Sequence, residues 1–250
     1  MDGAADGVRE LLLVRHGESV GNVAATAAER SGAQEIDVET RDADTPLSPT
    51  GREQAEALGD WLGGLPPGRV PQSLWCSPYL RTRDTARLAL ASGGLTLPTV
   101  VDERLRDREL GVLDRLTVAG IEARYPAEAV RRARLGKLYY RPPGGESWSD
   151  VALRVRSLLA DLDRREPGRR VLLVSHDAVV MLVRYVCEQL DEEALMQLVR
   201  TSSVRNASVT RLARTTDGGW RLEDFDEVGH LERRDAAVTE HAGRNDDAHA

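Results

Sequence analysis

Lysine is almost missing from this 250-residue chain: Lys137 is the only one among 34 basic residues, so positive charge is carried by arginine. A guanidinium fork grips phosphate or carboxylate through two parallel hydrogen bonds, which a lysine ammonium cannot do. Acidic residues number 41 and the formal charge is −7. That balance argues against a nucleic-acid or anionic-membrane partner, while leaving room for a local arginine cluster around a small anion. Cysteine is also scarce. Cys76 and Cys187 each stand in an apolar setting, "SLWCS" and "RYVCEQL", which excludes a disulfide framework, supports no metal site and fits a reducing, cytoplasmic compartment. No run approaches the roughly 18 apolar residues of a membrane span. The opening "MDGAADGVRE" is acidic and has no apolar leader segment.

With 41% hydrophobic residues the chain can bury a substantial core. Short apolar runs alternate with helical patterns, the mark of an α/β domain with a mostly parallel sheet. "ELLLV" at 10–14 and "RVLLV" at 170–174 are nearly continuous in apolar character, as expected of central strands covered on both faces. "SPTGREQAEALGDWL" predicts a helix capped by Ser48 with Pro49 at its first position. "SLWCSPYLRTRDTARLALA" predicts a strand to Cys76, a cap at Ser77 and a helix to about Ala91. Val151, Val155, Leu158, Leu159 and Leu162 form one helical stripe, and another helix follows His176 directly. "NASVTRLA" and "WRLEDFD" predict a closing hairpin. The polar stretch 23–45 reads as a loop or lid. A single domain over 1–231 is expected, with a disordered tail over 232–250 whose histidines carry no role.

Of five histidines, three (His230, His241 and His249) lie near or in that tail. The other two, His16 and His176, each follow a buried strand at its carboxyl end, where open α/β sheets bind ligands. Arg15 and Gly17 flank the first; the glycine allows a tight turn that offers backbone amides to an anion. A neutral imidazole can attack phosphorus, and neighbouring guanidinium groups can gather phosphoryl oxygens. Arg81, near the start of the helix after Ser77, is a second such group, whereas Arg83 and Arg87 read as surface charges.

These residues carry a resemblance. "RHGESVGN", "CSPYLRTRDTA" and "VLLVSHDAVV", with "PLSPTGREQAEALG" and "PPGGESWSDVALRV", occur in the order typical of the histidine phosphatase superfamily, and the chain resembles its phosphoglycerate mutase-like branch over roughly 10–212. The resemblance implies a three-layer sandwich, helices flanking a mostly parallel central sheet. It implies a phosphatase that hydrolyses a phosphorylated small molecule through a phosphohistidine on His16, with no cofactor or metal. Arg15, Arg81 and His176 would form the phosphate pocket, His176 as an imidazolium, and Asn22 would touch phosphoryl oxygens. Ser77 would cap its helix or support the pocket, and Glu18 would pair with Arg15.

The general acid departs from the family pattern. In "LRDRELG" the register usually held by glutamate falls on Asp107, and Glu109 stands two residues on, on the same side of an extended segment. Register favours Asp107; Glu109 is the alternative. The competing activity is a phosphoglycerate mutase, an isomerase using the same intermediate. The span "RRARLGKLYYRPPGGES" is shorter than in the mutases and resembles phosphatase branches, including the bisphosphatase half of the fructose-2,6-bisphosphate enzymes. Its Arg131, Arg132, Arg134, Lys137 and Arg141 offer a second anion contact or a solvated face. The leucine and valine of the closing helices permit a homodimer.

Overall fold

An apolar strand without alternation needs cover on both sides, and the two central strands receive it. In the computed structural model, which describes residues 7–241, β1 (Glu10–Arg15) and α1 (Val20–Ser31) are followed by α2 (Pro49–Gly63), β2 (Ser73–Cys76), α3 (Leu80–Ser92) and β3 (Thr99–Val101). Next come α4 (Val118–Arg124), α5 (Pro126–Tyr139), α6 (Trp148–Arg165), β4 (Arg170–Ser175), α7 (Asp177–Cys187) and α8 (Glu192–Thr201). The hairpin β5 (Val209–Arg214) and β6 (Trp220–Glu227) and the short α9 (Gly229–Glu232) complete the order. The acidic opening up to residue 6 and residues 242–250, with His249, lie outside the described part.

The sheet order is β3-β2-β4-β1-β5-β6. The first four strands run parallel and the hairpin joins antiparallel at β1. Period two divides each central strand between two cores. Leu11, Leu13, Val171 and Leu173 face α6, α7 and α8, whereas Leu12, Val14, Leu172 and Val174 face α2 and α3. Each such side chain removed from water stabilises the fold by about 1.5–3 kcal/mol. The three-layer α/β sandwich expected from the sequence is therefore present. Among the described residues no helix is long and apolar enough to cross a membrane.

Two local readings change. The stretch 23–45 is not all loop, because α1 occupies its first part, with a reciprocal Ser19–Asn22 capping box and a left-handed Gly32 at its end. Only Ala28 of α1 is buried, so the helix has no apolar stripe to announce it. The second change concerns the chain after residue 232, expected to be disordered. Through His241 it lies along the domain: Gln54 Nε2 donates to the carbonyl of Ala237 and to Thr239 Oγ1, each at 2.8 Å, and Asn206 N donates to the Thr239 carbonyl at 3.1 Å. Hydrogen bonds to Gln54 and Asn206, remote in sequence, hold it, which composition does not reveal.

α2 and α3 touch at glycines. A Cβ on Gly59 would come within 2.3 Å of the Ala89 carbonyl oxygen, whereas one on Gly68 would meet open space. Gly59→Ala is expected to lower stability in urea unfolding by about 1–3 kcal/mol through overpacking, and Gly68→Ala to change it by less than about 0.5 kcal/mol. Equal effects would mean that the helix contact is not the constraint.

Candidate active site

The parallel pairing of β1 with β4 sets Arg15 opposite Ser175, so the residues that follow, His16 and His176, emerge side by side. His16 N donates to the Ser175 carbonyl at 2.9 Å, and the two ring centroids are 5.2 Å apart. The turn before β5 supports the same corner: Ala207 N donates to the Arg15 carbonyl at 3.0 Å and Asn206 Nδ2 to the His16 carbonyl at 3.1 Å. His16 Nδ1 lies 2.7 Å from its neighbour's carbonyl, Gly17 O. A carbonyl only accepts, so Nδ1 carries the proton and the Nε2 lone pair is free to react. That nitrogen accepts from Arg81 Nε at 3.2 Å.

Arg81, on the first turn of α3, is 4% exposed and has its remaining donors on Asp42 and Asp107. Nη1 donates to Asp42 Oδ1 at 3.0 Å and to the Asp42 carbonyl at 2.7 Å, and Nη2 to Asp107 Oδ2 at 3.1 Å. Burial opposes the Arg81 charge, but Asp42 and Asp107 outweigh it and raise its pKa. Arg15 donates through Nη1 to the Val204 carbonyl and through Nη2 to the His241 carbonyl at 2.9 Å. Its Nε is buried with no hydrogen-bond partner among the described residues. Two buried guanidinium groups facing one imidazole make an anion pocket.

Burial and neighbouring charge disfavour the protonated form of both imidazoles. His16 is held well below the ordinary 6.5 by burial, then by the charge of Arg81, by His176 and by Arg15. His176 is lowered in the same way by burial, then by Arg81, Arg154 and Arg15. Without an anion in the pocket, burial and the neighbouring guanidinium groups oppose the imidazolium expected at His176. His176 Nε2 meets Ser77 Oγ at 2.9 Å, while Nδ1 lies 3.3 Å from Asp107 Oδ2 without the alignment of a hydrogen bond. With Ser77 donating to Nε2, the Nδ1 proton faces Asp107.

The remaining site residues divide. Asn22 and Glu109 line the cavity of about 250 Å³ that opens over His16, together with Asp107. Asn22 is already engaged, its Oδ1 accepting from Ser19 N at 3.1 Å. Glu109 accepts from Tyr79 OH at 3.1 Å, and the Tyr79 ring centroid lies 5.1 Å from that of His176. Ser77 lies three residues before α3, which starts at Leu80 with Tyr79 as the flanking residue; its hydroxyl accepts from Tyr79 N at 3.3 Å and meets His176 Nε2 at 2.9 Å. Gly17 offers no amide to an anion, since its N–H donates to Thr85 Oγ1 at 3.0 Å. Its small size is required by α2, because a Cβ would come within 2.5 Å of the Gly51 carbonyl oxygen. Glu18 makes no ion pair with Arg15; it accepts from Ser48 Oγ at 2.6 Å and meets His241 Nε2 at 2.8 Å. Of the basic span, Lys137 lines the cavity, whereas Arg131 pairs with Glu128 and Arg141 with Asp150.

Asp42, Gln54, Tyr79, Asn206 and His241 were not legible as site residues. Gln54 had a signal: it is a polar residue, fully buried, on the apolar face of α2, where its Oε1 accepts from Glu18 N at 2.8 Å. His241 had none, since only the fold returns it to β1.

The arrangement is that of an enzyme that transfers a phosphoryl group to histidine. The sequence profile of the histidine phosphatase superfamily (branch 1) matches residues 11–227, and the chain belongs to that superfamily. It is 36% identical over 180 residues to the glucosyl-3-phosphoglycerate phosphatase of Mycobacterium tuberculosis (strain ATCC 25618 / H37Rv), covering 69% of this chain and 72% of that protein. Over 186 residues it is 31% identical to the 2,3-bisphosphoglycerate-dependent phosphoglycerate mutase 2 of Gloeobacter violaceus, covering 73% and 77%. The structure of the mycobacterial glucosyl-3-phosphoglycerate phosphatase complexed with VO3 superimposes with a TM-score of 0.69 at 32% identity, covering 88% of this chain and 100% of that one. The chain is a phosphoric monoester hydrolase of a superfamily that works through a phosphohistidine intermediate.

Neutral burial of the two rings makes stability depend on pH. Both folded pKa values lie below the ordinary 6.5, so the unfolded chain binds more protons there, and stability present above 6.5 is lost as pH falls. The loss is up to about 1.4 kcal/mol per pH unit for each ring. The double variant His16→Gln, His176→Gln is expected to show a shallower loss of urea stability between about pH 6.5 and pH 5 than the parent. Parallel slopes would show that the rings are charged when folded.

Proposed function

We propose that this phosphatase acts on a phosphorylated small organic molecule in the cytoplasm, with Asp107 as proton donor and acceptor. The observation that supports the assignment is the position of Asp107 Oδ2, 3.1 Å from Arg81 Nη2 and 3.3 Å from His176 Nδ1. It stands where the phosphate clamp meets the second histidine, while Glu109 is tied to Tyr79. The phosphoryl group takes the donors of Arg81 now shared by Asp42 and Asp107, together with Arg15 Nε. His16 Nε2 attacks phosphorus in line, the bond to the ester oxygen breaks, and that oxygen leaves with the proton of the Asp107 carboxyl. In the second half the Asp107 carboxylate takes a proton from water, the water oxygen attacks phosphorus, and His16 is regenerated as orthophosphate departs.

The related M. tuberculosis enzyme is named for a glucosylated phosphoglycerate, and a substrate of the sugar- or glycerate-phosphate class fits a cavity walled by Lys137, Trp148 and Thr26. The relation to a mutase keeps isomerisation as the competing activity.

Asp107→Asn is expected to lower kcat/KM on the order of a hundredfold for alkyl phosphates and much less for aryl phosphates, whose leaving groups need no proton. A larger, leaving-group-dependent defect in Glu109→Gln would move the assignment to Glu109. Net orthophosphate release from 3-phosphoglycerate, without 2-phosphoglycerate even when the bisphosphate is added, is expected of a phosphatase; rapid interconversion of the two would establish a mutase.

A further inference from the structure

Asp107 sits on a segment, residues 106–110, that belongs to no helix or strand. Proton transfer needs its carboxyl placed to a fraction of an ångström, so something outside the segment must fix it. Two side chains do. Arg154, on α6, is 9% exposed; its Nη1 donates to the Arg104 carbonyl at 2.6 Å and its Nη2 to the Asp107 carbonyl at 3.1 Å. Glu146, in the loop before α6, pairs with Arg154, accepting from Nε at 3.0 Å and from Nη2 at 3.1 Å. The same carboxylate accepts from Arg106 Nη2 at 2.6 Å and from Glu109 N at 3.2 Å.

Backbone contacts extend the hold. Glu146 N donates to the Glu109 carbonyl at 2.9 Å, and Arg108 Nε donates to the Glu146 carbonyl at 2.7 Å. One ion pair therefore grips the segment on both sides of Asp107, while neither Glu146 nor Arg154 lines the cavity. Ser175 Oγ ties the Leu105 carbonyl to the end of β4 at 2.7 Å, so the same segment is referenced to the strand that carries His176.

We infer that the Glu146–Arg154 pair is the positioning device for proton transfer, holding Asp107 against the ester oxygen without touching the substrate. The inference rests on the reading of Asp107 as proton donor. It differs from a merely structural role in one respect: damage to the pair falls on the step that needs the proton and spares phosphoryl transfer to a good leaving group.

The test compares kcat/KM, which reports steps up to the phosphohistidine, for an alkyl phosphate and for p-nitrophenyl phosphate. Arg154→Lys leaves one ammonium where a fork bridged two carbonyls and a carboxylate; Glu146→Gln keeps the shape and removes the charge. Each is expected to lose on the order of tenfold to a hundredfold with the alkyl ester and less than about threefold with the aryl ester. In an Asp107→Asn background, Arg154→Lys is expected to add no further leaving-group bias, because it acts through Asp107. If Asp107→Asn itself shows no bias, the proton-donor reading fails. If Asp107→Asn is biased while Arg154→Lys and Glu146→Gln depress both esters equally, or neither, the positioning role fails alone. Should Arg154→Lys not fold, the milder Glu146→Gln carries the comparison.

Discussion

The parallel register between β1 and β4 is the constraint on which the site depends. With Arg15 opposite Ser175, the chain leaves both strands at the same level, and two imidazoles meet at 5.2 Å. A slip of one residue would exchange Leu12 and Val14 with Leu11 and Leu13 between the two cores and part the rings. The packing that stabilises the sandwich and the geometry that performs the chemistry are thus specified by the same alternation of leucine and valine. Tight glycine contacts reinforce it: Gly17 and Gly51 let α2 press on the loop after β1.

Burial then sets the electrostatics. Desolvation and guanidinium groups oppose protonation of rings that would titrate near neutrality in water, which favours the free lone pair that the proposed attack by His16 requires. Arg81 keeps its charge because Asp42 and Asp107 share its donors. In the proposed reaction phosphoryl oxygens would replace those carboxylates on Arg81, so that binding would exchange one set of acceptors for another instead of desolvating a free cation. The C-terminal segment completes the corner, with the His241 carbonyl on Arg15 and its ring on Glu18.

The chemistry-bearing histidines and arginines were legible because they sit at the ends of apolar strands and at a helix start, features that composition and period reveal. The helices α2, α6 and α7 and the hairpin were legible for the same reason. Features made by distant contacts were not. α1 buries too little to show a stripe, the Ser77 hydroxyl meets His176 as well as the backbone before α3, and the return of residues 237–241 depends on partners such as Gln54 and Asn206. Gly17 and Glu18 were read by proximity to His16, whereas their contacts are with Thr85, Ser48 and His241. Local pattern predicts what a segment does with its own backbone; it does not predict which remote side chain will claim a given donor.

The central claim is that strand register presents Nε2 of His16 as the nucleophile. Reaction with an aryl phosphate followed by alkaline denaturation preserves a phosphohistidine, and peptide mapping with phosphorus NMR locates it. The account predicts a phosphoryl group on Nε2 of His16; phosphorylation of Nδ1, of His176 or of no histidine during turnover would contradict it.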